Sequence, residues 1–144
     1  MIVSLHVATG AAAGALLGRP RLAAAVGPLL HVLGDLLPHE DIPSLPAEVA
    51  AGIVEVGALA ARLGPLHPAT VGALAACAPD LEHVVRPARR SRRELFPSHR
   101  IEGWHRSGGV SVALQLGLAA VLLALVLVRS REQGGEPPGA NPPR

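Results

Sequence analysis

Ten side chains able to hold a metal ion fall into four short clusters along this 144-residue chain. They are His6; His31, Asp35, His39 and Asp41; Asp80, Glu82 and His83; and His99 with His105. Six of the seven histidines and every aspartate are among them, in a chain that is 49% hydrophobic. Imidazole and carboxylate donors suit zinc, manganese or iron rather than copper(I). Cys77 is the only cysteine, so cysteine-based zinc motifs and a disulfide framework within one chain are excluded.

The spacing adds to the types. His31 and Asp35 stand four residues apart, one turn along a helix, so a rigid element presents both on one face. Two runs, Pro38-His39-Glu40-Asp41 and Pro79-Asp80-Leu81-Glu82-His83, directly follow apolar stretches. A charged group at the end of a membrane helix is costly unless paired or metal-bound. Ordinary interfacial polarity is the bland alternative for both runs. His99-Arg100 and His105-Arg106 flank Trp104, a residue type that favours membrane interfaces. His99 and His105 read as ligands or acid/base groups, and Arg100 as a guanidinium that meets an anionic substrate. His67, between two prolines, reads as a loop residue without chemistry.

Elements must bring these clusters together. Gly108 to Val128 carries no charge and is long enough to span a bilayer core as a helix. Ile2 to Leu17 is a second apolar stretch without a positive leader, read as a retained helix rather than a signal peptide. Helices are predicted over Leu22–Leu37, with a kink at Gly27-Pro28, over Ala47–Leu63, and over Pro68–Cys77. Pro38 to Pro46 is a loop, and Arg86 to Ser98 an Arg-rich connector. Residues 1–131 form one membrane bundle, and 132–144 a Pro- and Gly-rich tail expected to be disordered. Mean hydropathy is +0.37, and only Phe96 and Trp104 are aromatic. Small-residue helices pack closely, as membrane helices do.

If consecutive helices run up and down, parity places all four clusters at one end. His67, the Arg19–Arg21 turn and the tail fall at the other. This requires Gly64-Pro65 to separate two passes rather than kink one.

At these residues the chain resembles small bacterial inner-membrane proteins described as predicted membrane-bound metal-dependent hydrolases. The matching parts are His6, Pro79-Asp80-Leu81-Glu82-His83 and His99-Arg100…His105. The run His31-Val32-Leu33-Gly34-Asp35-Leu36-Leu37-Pro38-His39-Glu40-Asp41 is similar to a pattern in related membrane proteins. Glu82 stands where that family has Asp, Trp104 where it has Thr, and His99 to His105 is one residue longer. The resemblance implies hydrolysis at a metal centre.

The expectation is therefore an all-α integral membrane bundle of four to five helices in a bacterial inner membrane. Its metal ligands are His6, His31, Asp35, His39, Asp41, Asp80, Glu82, His83 and His99, with Arg100 and His105 catalytic. The cofactor is zinc or manganese, and two ions bridged by carboxylate would suit a phosphodiester. The substrate is a phospholipid or another lipid-linked phosphoester. The alternative is a non-catalytic membrane protein with a structural or transported metal. Nucleic acid is not a predicted partner, since a net charge of +2 offers no basic stripe. Seven arginines between Arg86 and Arg106 lean the site towards the cytoplasm.

Overall fold

The protein, a computed structural model, is described over residues 1–85 and 94–134. It is all-helical. Helix α1 covers Val3–Leu17, α2 Pro20–Leu36, α3 Leu45–Leu63 and α4 Pro68–Cys77. A 3-10 turn over Ala78–Asp80 leads into α5, Leu81–Val85; α6 is Pro97–Arg100 and α7 is Val112–Gly134.

Local chemistry sets the boundaries. Gly18 closes α1 at φ 63, and Pro20 opens α2 in its first turn, where a missing N–H costs nothing. Gly64, at φ 99, ends α3, so α3 and α4 are separate helices. α2 runs through Pro28 without interruption. α7 starts four residues later than the apolar pattern suggests. Gly108 and Gly109 adopt φ 88 and 98, outside the helical range, and a Cβ on Gly109 would collide with the Pro38 carbonyl. At its other end α7 continues past Val128 through good helix formers to Gly134, into the segment read as tail. Residues 135–144, and 86–93 of the Arg-rich connector, lie outside the described residues.

The five long helices alternate in direction. Gly10 and Gly14 on α1 meet Gly72 and Pro68 on α4, so these two run antiparallel. Gly27 on α2 lies against Ala75, while Gly34 lies against Met1 and His6. The Val3 amide donates to Glu48 Oε2 at 2.7 Å, aligning the starts of α1 and α3. That carboxylate serves orphan N–H groups at the positive end of α1. Ile2 N donates to Gln115 Oε1 at 3.2 Å, aligning α1 with α7. Gln115, the lone side-chain amide between Val112 and Val128, also donates to Glu40 O at 2.7 Å and Val110 O at 3.1 Å. A buried amide is costly unless it bonds in this way.

The core is made of small residues: Val7, Ala11, Ala69 and Ala73 with Leu59 and Val126. The outer faces are apolar as well, with Leu29, Leu33, Ile53, Val54, Leu114, Val121, Leu125 and Val128 all exposed. Among the described residues one helix, Val112–Glu132, is long and apolar enough to cross a membrane. Length and composition give the other helices no such reading, so the expected multi-pass bundle goes further than these helices carry.

Candidate metal centre

Parity brings the ligand clusters to one end of the bundle, around Asp35. α2 delivers His31 and Asp35 from its last two turns, and both are buried. α1 delivers His6 from its first turn, fully buried and stacked on His31 with ring centroids 3.9 Å apart. The 3-10 turn delivers Asp80, and α6 delivers His99.

Four donor atoms converge on one point: His31 Nε2, Asp35 Oδ2, Asp80 Oδ1 and His99 Nε2. Their separations are 3.1 Å from His31 to Asp35, 3.7 Å from His31 to Asp80, and 3.2 Å from His31 to His99. His99 lies 3.5 Å from each carboxylate oxygen. Ligands on arms of about 2.0–2.1 Å around a tetrahedral zinc are separated by about 3.3 Å. The separations among His31, Asp35 and His99 fit such arms, and Asp80 forms further donor groups with His6 and His31 and with His83 and His99.

The protons of both imidazoles are committed elsewhere. His31 Nδ1 donates to Ala76 O at 2.9 Å, and His99 Nδ1 donates to Glu82 Oε1 at 2.5 Å. Each remaining Nε2 faces the other and two carboxylate oxygens, an arrangement that a proton on His99 or a bound cation would stabilise. Asp35 Oδ2, Asp80 Oδ2 and both ring nitrogens of His6 are buried without a hydrogen-bond partner. Buried polar atoms left unpaired in this way suit a ligand-binding site.

Glu82, read as a ligand, stands behind His99 instead. Its carboxylate accepts from Leu95 N at 2.6 Å and Phe96 N at 3.2 Å as well as from His99. Burial opposes its charge, but those amide and imidazole bonds outweigh it and hold its pKa below the usual value. Burial likewise opposes a charge on His99, and the Asp35 and Glu82 carboxylates outweigh it, raising its pKa. Burial pushes Asp80 up to about 6. His83 lies against His99, ring centroids 4.4 Å apart, and offers a donor atom within reach of Asp80 and His99.

His39, Asp41 and His105 are assembled by two loops docked edge to edge. His39 N donates to Arg106 O, Gly108 N to His39 O, and Val110 N to Pro38 O, at 3.1, 2.8 and 3.0 Å. His39 and His105 then stack edge to face at 4.7 Å. Asp41 accepts from His105 Nε2 at 3.0 Å and lies 3.1 Å from His39 Nε2. The bonds to His105 and then His39 hold its pKa far below the ordinary carboxylate value.

A cavity of about 490 Å³ opens beside the centre. Asp41, Glu48, Asp80, His83, Glu94, His99 and His105 line it, with Val3, Ile42 and Leu45 as apolar wall. Arg100 is exposed on α6 and is not part of that wall. Glu40 caps the start of α7, its Oε2 accepting from Val112 N at 3.3 Å. His67 lies at the far end, where its Nδ1 accepts from Ala69 N at 3.2 Å and caps α4. Sequence reading missed the capping by Glu48 and His67. Their only signal was position, a carboxylate in a first helical turn and a polar residue just before a Pro-initiated helix.

Compared with family models, curated proteins and solved structures, the chain finds no match. The buried His and Asp clusters could hold a metal ion.

Proposed function

We propose that the chain is a membrane-bound, metal-dependent hydrolase. The reading rests on the gathering of His31 Nε2, Asp35 Oδ2, Asp80 Oδ1 and His99 Nε2 beside an open cavity. A divalent cation bound there would act as a Lewis acid and lower the pKa of water. The protein's own part is orientation. The Ala76 carbonyl and the Glu82 carboxylate fix the tautomers of His31 and His99, as outer partners of metal-ligating histidines do. Ile42, Leu45 and Val3 give the cavity an apolar side for a substrate tail.

The proposed setting is lipid, in a bacterial inner membrane as the resemblance implies. α7 is long enough to span a bilayer and is mostly exposed, unlike the core helix of a soluble protein. α2 and α3 also carry exposed apolar residues. A lipid-linked phosphoester is the substrate class that this setting favours. With Arg100 away from the cavity wall, its phosphate would be met by bound cation and by histidine.

The second reading is a structural metal site. It is favoured by the near-complete burial of His31 and Asp35, since structural zinc sites are shut off from substrate. The test is a panel of phosphodiester, phosphomonoester and carboxylic ester substrates in lipid, with zinc- or manganese-loaded protein. Turnover that vanishes with a chelator and returns with metal supports the hydrolase. Bound metal with no turnover on any substrate supports the structural site, and turnover insensitive to chelation refutes the metal mechanism.

A further inference from the structure

The inner cage uses only one oxygen of Asp35. The other, Oδ1, lies 3.2 Å from buried His6 Nε2, and a second set of donors gathers near it. His105 Nδ1 lies 3.9 Å from it, and donor atoms of Asp35, His39 and His105 all lie within 4.8 Å of one another. His39 Nδ1 donates to Leu37 O at 2.6 Å, and its Nε2 contacts the Met1 nitrogen and lies 3.1 Å from Asp41 Oδ1. His105 Nε2 donates to Asp41 Oδ2 at 3.0 Å, leaving Nδ1 as the ring nitrogen nearer Asp35. Four histidines thus have one nitrogen engaged by an oxygen acceptor and offer a donor atom close to one carboxylate, Asp35.

The Met1 nitrogen lies among these donors, 2.9 Å from Asp35 Oδ1, in contact with His39 Nε2 and 3.8 Å from Asp41 Oδ1, so a cation bound there would take its place. Asp35 and His39 are almost wholly buried, whereas His105 and Asp41 line the cavity wall. The second position therefore has fixed donors on its inner side and open space on the other. Two donors of the inner group, Asp80 and His99, border the same cavity.

We infer that the centre is dinuclear, with a second divalent cation held by Asp35 Oδ1, His39 Nε2 and His105 Nδ1 and bridged to the first by the Asp35 carboxylate. Asp41 orients His105 and adds charge at the cavity side. A position with three protein donors and an open face is the arrangement of catalytic metals. The inference rests on the metal reading above and goes beyond it in number and position.

The full chain in detergent, titrated with Mn(II), tests it through metal content after desalting and through electron paramagnetic resonance. The expected result is two ions per chain with a spectrum of exchange-coupled manganese. His39→Ala and the more exposed His105→Ala should each retain one ion with an uncoupled six-line spectrum, while His31→Ala loses the inner ion. His105→Ala keeps the test valid if His39→Ala fails to fold. One ion per chain, lost in His31→Ala, overturns the second position and leaves the metal hydrolase standing. Two ions without coupling, or two ions retained in both His39→Ala and His105→Ala, overturn the shared carboxylate and its ligands. No bound ion overturns this inference and the metal reading together.

Discussion

The two ends of the bundle are built on opposite terms. At the site end, helices stop so that buried polar atoms can gather around Asp35, several of them without hydrogen-bond partners. Towards the middle and far end the described core is mostly small and apolar, with Glu55 and Thr70 as isolated polar residues. Gly10, Gly14 and Gly72 bring the α1 and α4 backbones so close that a Cβ on any of them would strike the facing helix. The ends also share a residue type put to different uses. Histidine at the site end turns free lone pairs to a common point, and His67 at the far end spends its lone pair on a helix N-terminus. Fold stability therefore depends chiefly on backbone approach, and ion binding on the site end. Substitutions should separate the two.

The largest effect is expected from Asp35→Ala. It removes an oxygen from each proposed cation position, so bound metal should fall to background. That is a greater loss than the roughly 10–100-fold typical of removing an outer-shell partner. Metal content after desalting, alongside far-ultraviolet circular dichroism, measures it. A folded Asp35→Ala protein with undiminished metal would break the contrast between the ends.

Next is Gly72→Ala. The new Cβ meets the Gly10 carbonyl, a backbone atom that can yield only if α1 and α4 separate. Overpacking typically costs about 1–3 kcal/mol, and a clash with backbone belongs at the upper end. Thermal or denaturant unfolding in detergent should show that loss, with an unchanged metal ratio in the folded fraction. Loss of metal without loss of stability would show that the two ends are coupled after all.

Glu82→Gln should act through His99 alone. A Gln oxygen cannot match a carboxylate that accepts from His99 Nδ1 and the Leu95 and Phe96 amides. Metal affinity should weaken by roughly 10–100-fold, read by competition with a chromophoric chelator. An effect as severe as that of Asp35→Ala would move Glu82 from behind the histidine into direct contact with the ion.

Much of the helix plan was legible, because breakers are local. Arg19-Pro20, Gly64-Pro65 and the Pro68–Cys77 stretch read directly into boundaries. Convergence of His6, His31, Asp80 and His99 followed from parity alone, since each lies at a helix end. The loop docking was not legible. The pairing of residues 38–40 with 106–110 depends on backbone hydrogen bonds and on the Gly109 conformation, neither of which leaves a periodic signal. That pairing moved the start of α7 and created the outer donor set. Glu82 was misplaced for a related reason. A Pro-Asp-x-Glu-His run gives spacing, but not which carboxylate turns to the ion and which turns to the histidine behind it.

The smallest effect concerns His67, where sequence suggested a residue with no role and the structure gives it a cap. Its Nδ1 accepts from Ala69 N and satisfies one of the orphan donors at the start of α4. Loss of an N-cap side chain costs about 0.5–2 kcal/mol, and an exchange to alanine here should fall near the low end because the 3.2 Å bond is long. His67→Ala should therefore lower unfolding stability slightly and leave bound metal untouched. His67→Asn should restore the loss, because a side-chain oxygen caps as well as a ring nitrogen does. If His67→Ala reduced bound metal, the far end could no longer be described as packing alone. If His67→Asn failed to rescue stability, the cap would not be what His67 contributes, and the contrast between histidine as ligand and histidine as cap would lose its second half.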